Sequence, residues 1–191
     1  MLTQYYIVVI CQTSFLLSIH DTRLSQLNPL PVDPHYKLSR HIDALFGSGV
    51  SKALPPNIEP VFSRKTGRIK NFGIEGKLVA TLRTDGGIAL TIFGAQYLLD
   101  RSQVFVENCV TPVGDAMPFV REGRSLFCRH VQECGSNVRN GSDVAVIDGG
   151  RNVIAVGVAQ LPAALMKQYS RGVAVKVREG LLSRQTGSNK N

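Results

Sequence analysis

The spacing of hydrophobic positions along the chain changes near residue 59. Before that point, within residues 35–54, apolar side chains recur at helical spacing, at Leu38, Ile42, Leu45 and Phe46. Two glycines within residues 47–49 interrupt the pattern, so we expect the helix to end there and residues 50–54 to form a further turn or two. The two prolines that follow end helical structure. This region is therefore predicted to be helical.

From residue 59 onward, apolar and polar residues alternate over short stretches that are separated by glycine-containing turns. Such alternation is typical of strands with one buried face. We expect strands at residues 60–62, 67–70, 77–83 and 87–93, and a short helix at 94–99. Residues 35–102 are therefore predicted to form an α+β domain, in which helices precede an antiparallel meander.

The following region is predicted to consist of many short strands and two short helices. Strands are expected at residues 104–109, 125–131, 144–148, 152–159 and 172–178. Helices are expected at 116–122, closed by Gly123, and at 162–169, with Pro162 in the first turn. This combination is typical of a small, partly closed β-barrel. We therefore expect residues 103–182 to form a small, mainly-β pseudo-barrel.

The two ends of the chain differ from these domains. Residues 28–34 contain three prolines, which predict a linker, and the polar residues 183–191 predict a disordered tail. Polar residues interrupt the apolar runs within residues 1–19, and no Lys or Arg precedes them. Residues 1–34 are thus interpreted as an N-terminal extension and linker. Within them, residues 1–19 are expected to form a strand or hairpin packed on the body or a loosely attached segment, with a membrane anchor as the less favoured alternative. A cytoplasmic protein is expected.

Charge adds a first indication of function. The 191 residues carry a formal net charge of +8. The positive charge lies in residues 35–102 (net +5) and 103–191 (net +4), whereas residues 1–34 are weakly negative. A folded basic surface attracts phosphate polymers because binding releases their condensed counterions. The same charge would attract an anionic membrane or an acidic partner protein.

Candidate catalytic chemistry is sparse. Four cysteines are too few and too irregularly spaced for a disulfide framework. Cys128, His130 and Cys134 lack the paired knuckles of a structural zinc site, so we interpret them as residues of a buried or half-buried strand. No His or carboxylate pair has a spacing suited to acid–base catalysis, and no nucleophile motif is present. The sequence predicts no metal and no cofactor.

The second domain contains three notable motifs: the glycine after the short helix (Gly123), the segment NGSDVAVIDGGRNVIAVGVAQ (140–160) and the closing strand RGVAVKVREG (171–180). Together these motifs resemble a PUA domain. The resemblance covers residues 103–182, with the motifs in the expected order. It implies a PUA pseudo-barrel that binds RNA.

The first domain contains the segments IDALFGSGVSKAL (42–54), SRKTGRIKNF (63–72) and LVATLRTDGGIALTIFGAQYLL (78–99). Through these segments, residues 35–100 are similar to the domain that precedes PUA in archaeal tRNA-guanine transglycosylases. Both domains together thus resemble the C-terminal RNA-binding portion of these archaeosine-forming enzymes. The enzymes act through a (β/α)₈ barrel, which needs roughly 200 residues. Because this chain has no room for that barrel, we expect that it is not an enzyme.

The resemblance implies that RNA lies across the short helix, the glycine loop and the neighbouring strands. The corresponding residues are Arg121, Gly123, Arg124 and Ser125. Glycine allows a phosphate to approach the backbone, and arginine presents a bidentate fork to phosphate or to a base edge. Ser125 could cap or contact a ribose. The alternative is that both arginines are solvated charges around a glycine that ends the helix.

A second candidate element is the predicted hairpin at residues 63–70. Its cations surround a Thr–Gly turn and are Arg64, Lys65, Arg68 and Lys70. A compact positive tip suits the backbone of an RNA duplex. The equally weighted alternative is a charged edge hairpin that prevents pairing with other chains. Arg171 and Lys176, in the predicted barrel, would widen the RNA-binding surface.

These observations predict an RNA-binding protein whose partner is structured RNA, in particular tRNA, and whose role lies in tRNA modification. One alternative is a non-catalytic docking subunit of a split archaeosine-type tRNA-guanine transglycosylase. Its partner would be a separate catalytic subunit, and residues 1–34 could be the docking element. An independent enzyme is the weakest alternative, because no constellation of residues supports it.

Overall fold

The structure is a computed structural model, and it describes residues 33–183. The predictions for residues 1–32 and 184–191 lie outside the described residues; they concern the N-terminal extension, most of the proline-rich linker and nearly all of the tail. Residues 34–183 belong to one compact unit.

The first domain begins with helices and continues with a four-stranded sheet. Its helical elements are α1 (Pro34–Phe46), a 3₁₀ turn (Val50–Ala53) and α2 (Ile92–Arg101). Its strands are β1 (Glu59–Phe62), β2 (Ile69–Ile74), β3 (Lys77–Leu82) and β4 (Ile88–Leu90). The strands pair antiparallel in sequence order. Buried side chains of both helices join those of the strands in the core of this domain. The predicted α+β domain with an antiparallel meander is confirmed.

The second domain is built around a six-stranded sheet. Its strands are β5 (Cys109–Pro112), β6 (Leu126–Phe127), β7 (Val131–Cys134), β8 (Asp143–Ile147), β9 (Val153–Ala159) and β10 (Val173–Gly180). Its helices are α3 (Met117–Arg121), which follows a 3₁₀ turn (Gly114–Ala116), and α4 (Ala163–Met166). The spatial order is β6-β10-β9-β8-β5-β7, and only β5 and β8 pair in parallel. The mainly-β near-barrel predicted here is confirmed.

The predicted strand at residues 104–109 is wrong. Residues Gln103–Asn108 form a 3₁₀ helix, and the strand begins only at Cys109. In a 3₁₀ helix, side chains three residues apart point the same way. Phe105 packs edge-on against Phe46 at 5.5 Å between ring centroids, and buried Asn108 donates from Nδ2 to the carbonyl of Phe46 at 2.7 Å. These contacts override the alternating pattern of the valines.

The predicted strand at residues 125–131 is also wrong, because this stretch serves two different strands. Leu126–Phe127 pairs with β10, whereas Val131–Cys134 pairs with β5 on the opposite side of the sheet order. A 3₁₀ turn, Cys128–His130, carries the chain between them. One continuous strand cannot reach both partners.

Three further element ends differ from the prediction by three residues or more. Strand β2 runs to Ile74 instead of ending at residue 70, since residues 71–74 pair with β1 and β3. Helix α2 replaces the end of the predicted strand 87–93, because the hydroxyl of Thr91 accepts a hydrogen bond from the Gly94 amide at 3.0 Å and caps the helix. The predicted helix 162–169 shortens to Ala163–Met166, with Pro162 preceding it in an extended conformation.

Strand β8 joins the two domains because both of its faces are buried. Ala145 and Ile147 belong to the same core cluster as the first domain, whereas Val144 and Val146 belong to the interior cluster of the barrel. A continuous apolar run is what a strand buried on two faces requires. The sequence of β8 therefore encodes both the barrel and its contact with the first domain.

A buried carboxylate forms ion pairs with two arginines at this domain boundary. Asp143, at the start of β8, contacts Arg178 of β10 at 2.9 Å and Arg83 of the first domain at 3.2 Å. Arg178 also donates to the carbonyl of Leu90 in β4 at 2.6 Å. Burial raises the pKa of the Asp143 carboxyl, and the hydrogen bond from Arg178 and the charge of Arg83 oppose this rise. Both arginines are thus engaged in holding the fold.

Two amide side chains add hydrogen bonds across the same boundary. Asn137 donates from Nδ2 to Oδ1 of Asn108 at 2.7 Å and to the carbonyl of Leu45 at 3.2 Å, at the end of α1. Gln96 of α2 accepts from the Val153 amide at 2.7 Å. These bonds satisfy partly buried backbone groups on both sides and add to the contact between the two domains.

Candidate nucleic-acid interface

An open cleft of about 390 Å³ lies beside α3, at the point where the chain enters β6. Its floor is apolar and includes Ala116, Val120 and Leu126, all of which are buried. The aromatic rings of Phe119 and Phe127 border it and stay 50% and 47% exposed. Exposed aromatic rings at an open cleft are unusual for a purely structural surface. We call this site the α3 cleft.

Cations surround the α3 cleft. The guanidinium of Arg124 lies 5.2 Å from the centroid of the Phe119 ring, and its Nε is 3.4 Å from the Glu122 carboxylate. Arg129 is exposed and donates from Nε to Nε2 of His130 at 2.9 Å. Asp115 is the acidic residue among those that line the cleft. The site therefore combines aromatic faces with positively charged donors.

The predicted residues Arg124 and Ser125 line this cleft, and Gly123 precedes them with φ at +95°. The backbone there packs closely against the end of β10: a Cβ on Gly180 would lie 2.4 Å from the Arg121 carbonyl oxygen and 2.5 Å from the Gly123 nitrogen. The Leu182 amide also donates to the Arg121 carbonyl at 2.8 Å. The glycine loop is thus held in place by backbone contacts.

Arg121 differs from the other predicted residues of this loop, because it does not line the cleft. Its guanidinium contacts Asp148, in the turn between β8 and β9, at 3.3 Å, and its side chain is 40% exposed. Burial alone would raise the pKa of Asp148, but hydrogen bonds from Asn152 and Gly150 and the charge of Arg121 hold it below the usual value. Arg121 is therefore partly committed to the protein itself.

The hairpin cations lie apart from the cleft lining, at the turn between β1 and β2. Arg64, Lys65, Arg68 and Lys70 are all exposed, and none forms an ion pair with another residue of the described chain. The turn is closed by the Ser63 amide, which donates to the Arg68 carbonyl at 2.8 Å, and by the left-handed Gly67. The structure thus presents the compact positive tip that the sequence predicts.

Two further predicted cations occupy the barrel. Arg171 is exposed and precedes Gly172, whose carbonyl accepts from the Cys128 amide at 3.0 Å, so its backbone runs beside the segment that carries Arg129. Lys176 is exposed on β10, where the adjacent Val175 points into the barrel. Neither residue lines the α3 cleft.

Sequence reasoning missed four residues of the cleft: Phe119, Phe127, Arg129 and His130. The signal was present, because an aromatic residue stands near an arginine on each side of the glycine loop. It was overlooked because residues 125–131 were predicted to form one strand, and a strand in a barrel buries alternate side chains. The 3₁₀ turn instead brings Phe127, Arg129 and His130 to one opening.

The residues considered for zinc do not lie on a common strand, so that interpretation is corrected. Cys128 and His130 belong to the 3₁₀ turn, and Cys134 belongs to β7. Within residues 33–183, no cluster of three or more His, Cys, Asp or Glu side chains could hold a metal ion. Every helix in the same part of the chain is too short or too polar to span a bilayer.

The fold defines a PUA-type protein, and comparisons with known proteins agree. Residues 114–181 match the family model of the PUA domain, and residues 37–103 match that of the patch-forming domain C2 of tRNA-guanine transglycosylase. Solved structures with the same fold include a hypothetical protein of Pyrococcus horikoshii (TM-score 0.64, 17% identity, 82% of this chain and 95% of that one). Another is a PUA domain of Aeropyrum pernix (TM-score 0.56, 18% identity, 80% and 84%).

Relatives with known names place the chain more closely. It is 31% identical over 150 residues to the tRNA-guanine(15) transglycosylase of Thermoplasma volcanium and 33% identical over 142 residues to that of Thermococcus kodakarensis. These matches cover 75% and 71% of this chain but 23% of each relative. The chain thus contains a C2 and a PUA domain and is homologous to the C-terminal region of archaeal tRNA-guanine(15) transglycosylases. This homology associates it with RNA binding and tRNA modification.

Proposed function

We propose that this protein binds tRNA through the α3 cleft and the basic hairpin, and that it contributes binding rather than catalysis to tRNA modification. The observation that carries the proposal is the α3 cleft, where two half-exposed aromatic rings stand beside exposed arginines. RNA recognition commonly combines these two elements, because bases stack on aromatic faces while arginines bind phosphates.

Each part of the cleft has a distinct role in this proposal. Phe119 and Phe127 offer faces on which an unpaired base stacks, and the buried floor excludes water from beneath it. Arg124 and Arg129 donate to phosphate oxygens. Ser125 contributes a hydroxyl that can bond the ribose 2′-OH, which distinguishes RNA from DNA.

The hairpin between β1 and β2 adds contacts of a different kind. Its four cations are exposed and form no ion pair within the described chain, so they suit the sugar–phosphate backbone instead of a base. Such contacts raise affinity without reading sequence. In this proposal the hairpin binds a helical part of the tRNA, while the cleft binds an unpaired part. The protein is proposed to act in the cytoplasm.

The proposed absence of catalysis rests on which part of the relatives is matched. The chain spans about a quarter of the length of the tRNA-guanine(15) transglycosylases. The two matched domains are the PUA and patch-forming domains. We therefore propose delivery of tRNA as the role of these two domains.

A second candidate is a docking subunit that works with a separate catalytic subunit. It is favoured by the observation that the relatives carry this portion within a chain about four times as long. The test is purification under native conditions and identification of bound proteins by mass spectrometry. A stable partner homologous to the rest of those relatives would support this candidate, and purification of the chain without one would count against it.

The direct test of RNA binding compares affinities for tRNA and for a blunt RNA duplex of equal length. The variant Arg124→Ala/Phe127→Ala should weaken tRNA binding by about tenfold or more, because a stacked base is worth about 1–3 kcal/mol. The matched control is Arg40→Ala/Val104→Ala, which removes one exposed cation and one exposed apolar side chain elsewhere. Equal losses in both variants, or no binding by the wild type, would refute the proposal.

A further inference from the structure

We propose a second RNA-binding surface, the α2 track, which runs from the first domain across the domain boundary and binds the sugar–phosphate backbone. It consists of Lys77, Phe93, Tyr97, Arg101 and Arg151. The inference rests on the proposed function, in that it takes RNA as the ligand. None of these residues belongs to the α3 cleft or to the hairpin.

Two neighbouring aromatic rings of α2 lie between two cations. The Lys77 ammonium lies 5.2 Å from the centroid of Phe93, the Phe93 and Tyr97 centroids are 6.0 Å apart, and the Arg101 guanidinium lies 3.8 Å from the Tyr97 centroid. Residues four apart on a helix lie on one face, so Phe93, Tyr97 and Arg101 form a single row. A cation therefore stands at each end of a row of aromatic rings.

The row leads into a polar groove of about 520 Å³ that both domains line. Arg101 and Gln96 border it from α2, and Arg151 borders it from the turn between β8 and β9. Asp100 is the carboxylate in this lining, and its Oδ1 accepts from Gln96 at 2.7 Å. Within residues 33–183, none of the three track cations forms an ion pair. Their charge is therefore available to a ligand.

Arg151 has a backbone conformation that is unusual for its residue type. Its φ is +62°, which lies in the left-handed region that glycine favours. Two glycines directly precede it, but the left-handed conformation falls on the arginine. The conformation is fixed by the surrounding turn, since the Arg151 amide donates to the Asp148 carbonyl at 3.0 Å and Gln96 donates to the Arg151 carbonyl at 3.3 Å. The turn thus holds this cation at the groove.

The same turn connects the track with the PUA face. Asp148, three residues before Arg151, contacts Arg121 at 3.3 Å, and Arg121 ends the helix that borders the α3 cleft. Direct contacts therefore link the cleft helix to the turn, and the turn to α2. One RNA molecule bound in the α3 cleft can extend over this turn onto α2.

The chemistry of the track selects backbone rather than bases. Phe93 and Tyr97 are partly buried against the core, unlike the half-exposed rings of the α3 cleft, so they do not offer open faces for stacking. The rings instead hold the cations in position. Phe93 and Arg101 are eight residues apart, which is about 12 Å along a helix and roughly three to four base-pair steps of a duplex.

A purely structural explanation covers only part of these observations. Ring–cation pairs would stabilise α2 by themselves, but they do not account for Arg151, which contacts no ring within residues 33–183 and faces the groove from the other domain. An anionic polymer that crosses the boundary accounts for both features.

The test measures tRNA and blunt-duplex affinity across a salt series for Arg101→Ala/Arg151→Ala. Two lost phosphate contacts should lower the slope of log K against log salt by about 2 and weaken binding on the order of tenfold, for both RNAs alike. The charge-preserving variant Arg101→Lys/Arg151→Lys should retain the wild-type slope. The matched control Arg40→Ala/Lys52→Ala removes two exposed cations from outside the track and should change the slope far less.

The outcomes separate this inference from the proposed function. A slope for Arg101→Ala/Arg151→Ala equal to that of the control overturns the α2 track, even if the cleft variant loses tRNA binding. A reduced slope in the track variant, with no effect of Arg124→Ala/Phe127→Ala, refutes the cleft and supports the track. A wild-type protein that binds neither RNA refutes both.

Discussion

Two groups of arginines in this protein have opposite roles. Arg83 and Arg178 meet at the buried carboxylate of Asp143, whose side chain is 4% exposed, and they hold the two domains together. Arg124 and Arg129 border an open cleft, and the carboxylate nearest to Arg124 is the 53% exposed Glu122. All four arginines carry the same formal charge. Burial of the partner carboxylate separates the arginines that stabilise the fold from those whose charge is open to a ligand.

The largest expected effect comes from removing the carboxylate at the boundary. Asp143→Ala leaves Arg178 and Arg83 without their shared counter-ion, and we expect it to lower the free energy of unfolding by about 2–4 kcal/mol. Chemical denaturation followed by circular dichroism measures this. The matched control is Glu122→Ala, which removes the exposed partner of Arg124 and should change stability by less than about 1 kcal/mol. Similar losses in the free energy of unfolding for both variants would contradict the distinction between the two groups of arginines.

The second effect concerns the glycine loop, which depends on close packing and not on charge. Gly180→Ala places a Cβ about 2.4 Å from the Arg121 carbonyl, so the loop must shift. We expect a loss of about 1–3 kcal/mol in the free energy of unfolding and weaker tRNA binding. Gly149→Ala is the matched control, because its Cβ would have no neighbour within 4 Å. Equal melting temperatures for the two variants would contradict this account of the loop.

The third prediction concerns the cleft arginines, whose removal should weaken tRNA binding but leave stability nearly unchanged. Arg124→Ala/Arg129→Ala should leave the free energy of unfolding within about 0.5 kcal/mol for each substitution, as expected for exposed side chains. The same variant should weaken tRNA binding by roughly tenfold, because two charged donors to phosphate are lost. Thermal unfolding and filter binding on the same preparation check both halves. If the variant loses both stability and tRNA binding, Arg124 and Arg129 would have to be structural residues.

The smallest effect involves Arg121, which lies between the two groups. Because the pKa of Asp148 is below its usual value, its charge stabilises the fold above the unfolded pKa near 4, and this contribution disappears as the pH falls through the folded pKa. Asp148→Asn should therefore be slightly less stable than the wild type at pH 7, by less than about 1 kcal/mol. The difference should narrow as the pH falls below 4. A series of denaturation curves from neutral pH into this acidic range tests this, and a difference independent of pH would exclude the charge as its cause.

Much of the fold could be predicted from the sequence, because strong local patterns agree with the tertiary structure. The helix at Leu38, Ile42 and Phe46 and the apolar strands around residues 144–158 are examples. The errors arose where tertiary contacts override alternation. Residues 103–108 alternate like a strand but form a 3₁₀ helix, because Phe105 and Asn108 both turn toward the end of α1.

The candidate site was less accessible to sequence analysis. Arg124 could be found from its place beside the glycine loop, whereas Phe127 and Arg129 reach the cleft only through the turn that divides the predicted strand. The role of Arg121 was also invisible, since its partner Asp148 is 27 residues away in the chain. Pairings over such separations depend on the sheet order, which local patterns do not specify.

The central claim is that the α3 cleft holds an unpaired part of tRNA. Ultraviolet cross-linking of the wild-type protein to tRNA, followed by mass spectrometric identification of the modified peptides, tests it most directly. The account predicts cross-links at Phe119 or Phe127, and their loss when both are replaced by leucine. Cross-links confined to other regions of the chain, with Phe119 and Phe127 unmodified, would contradict it.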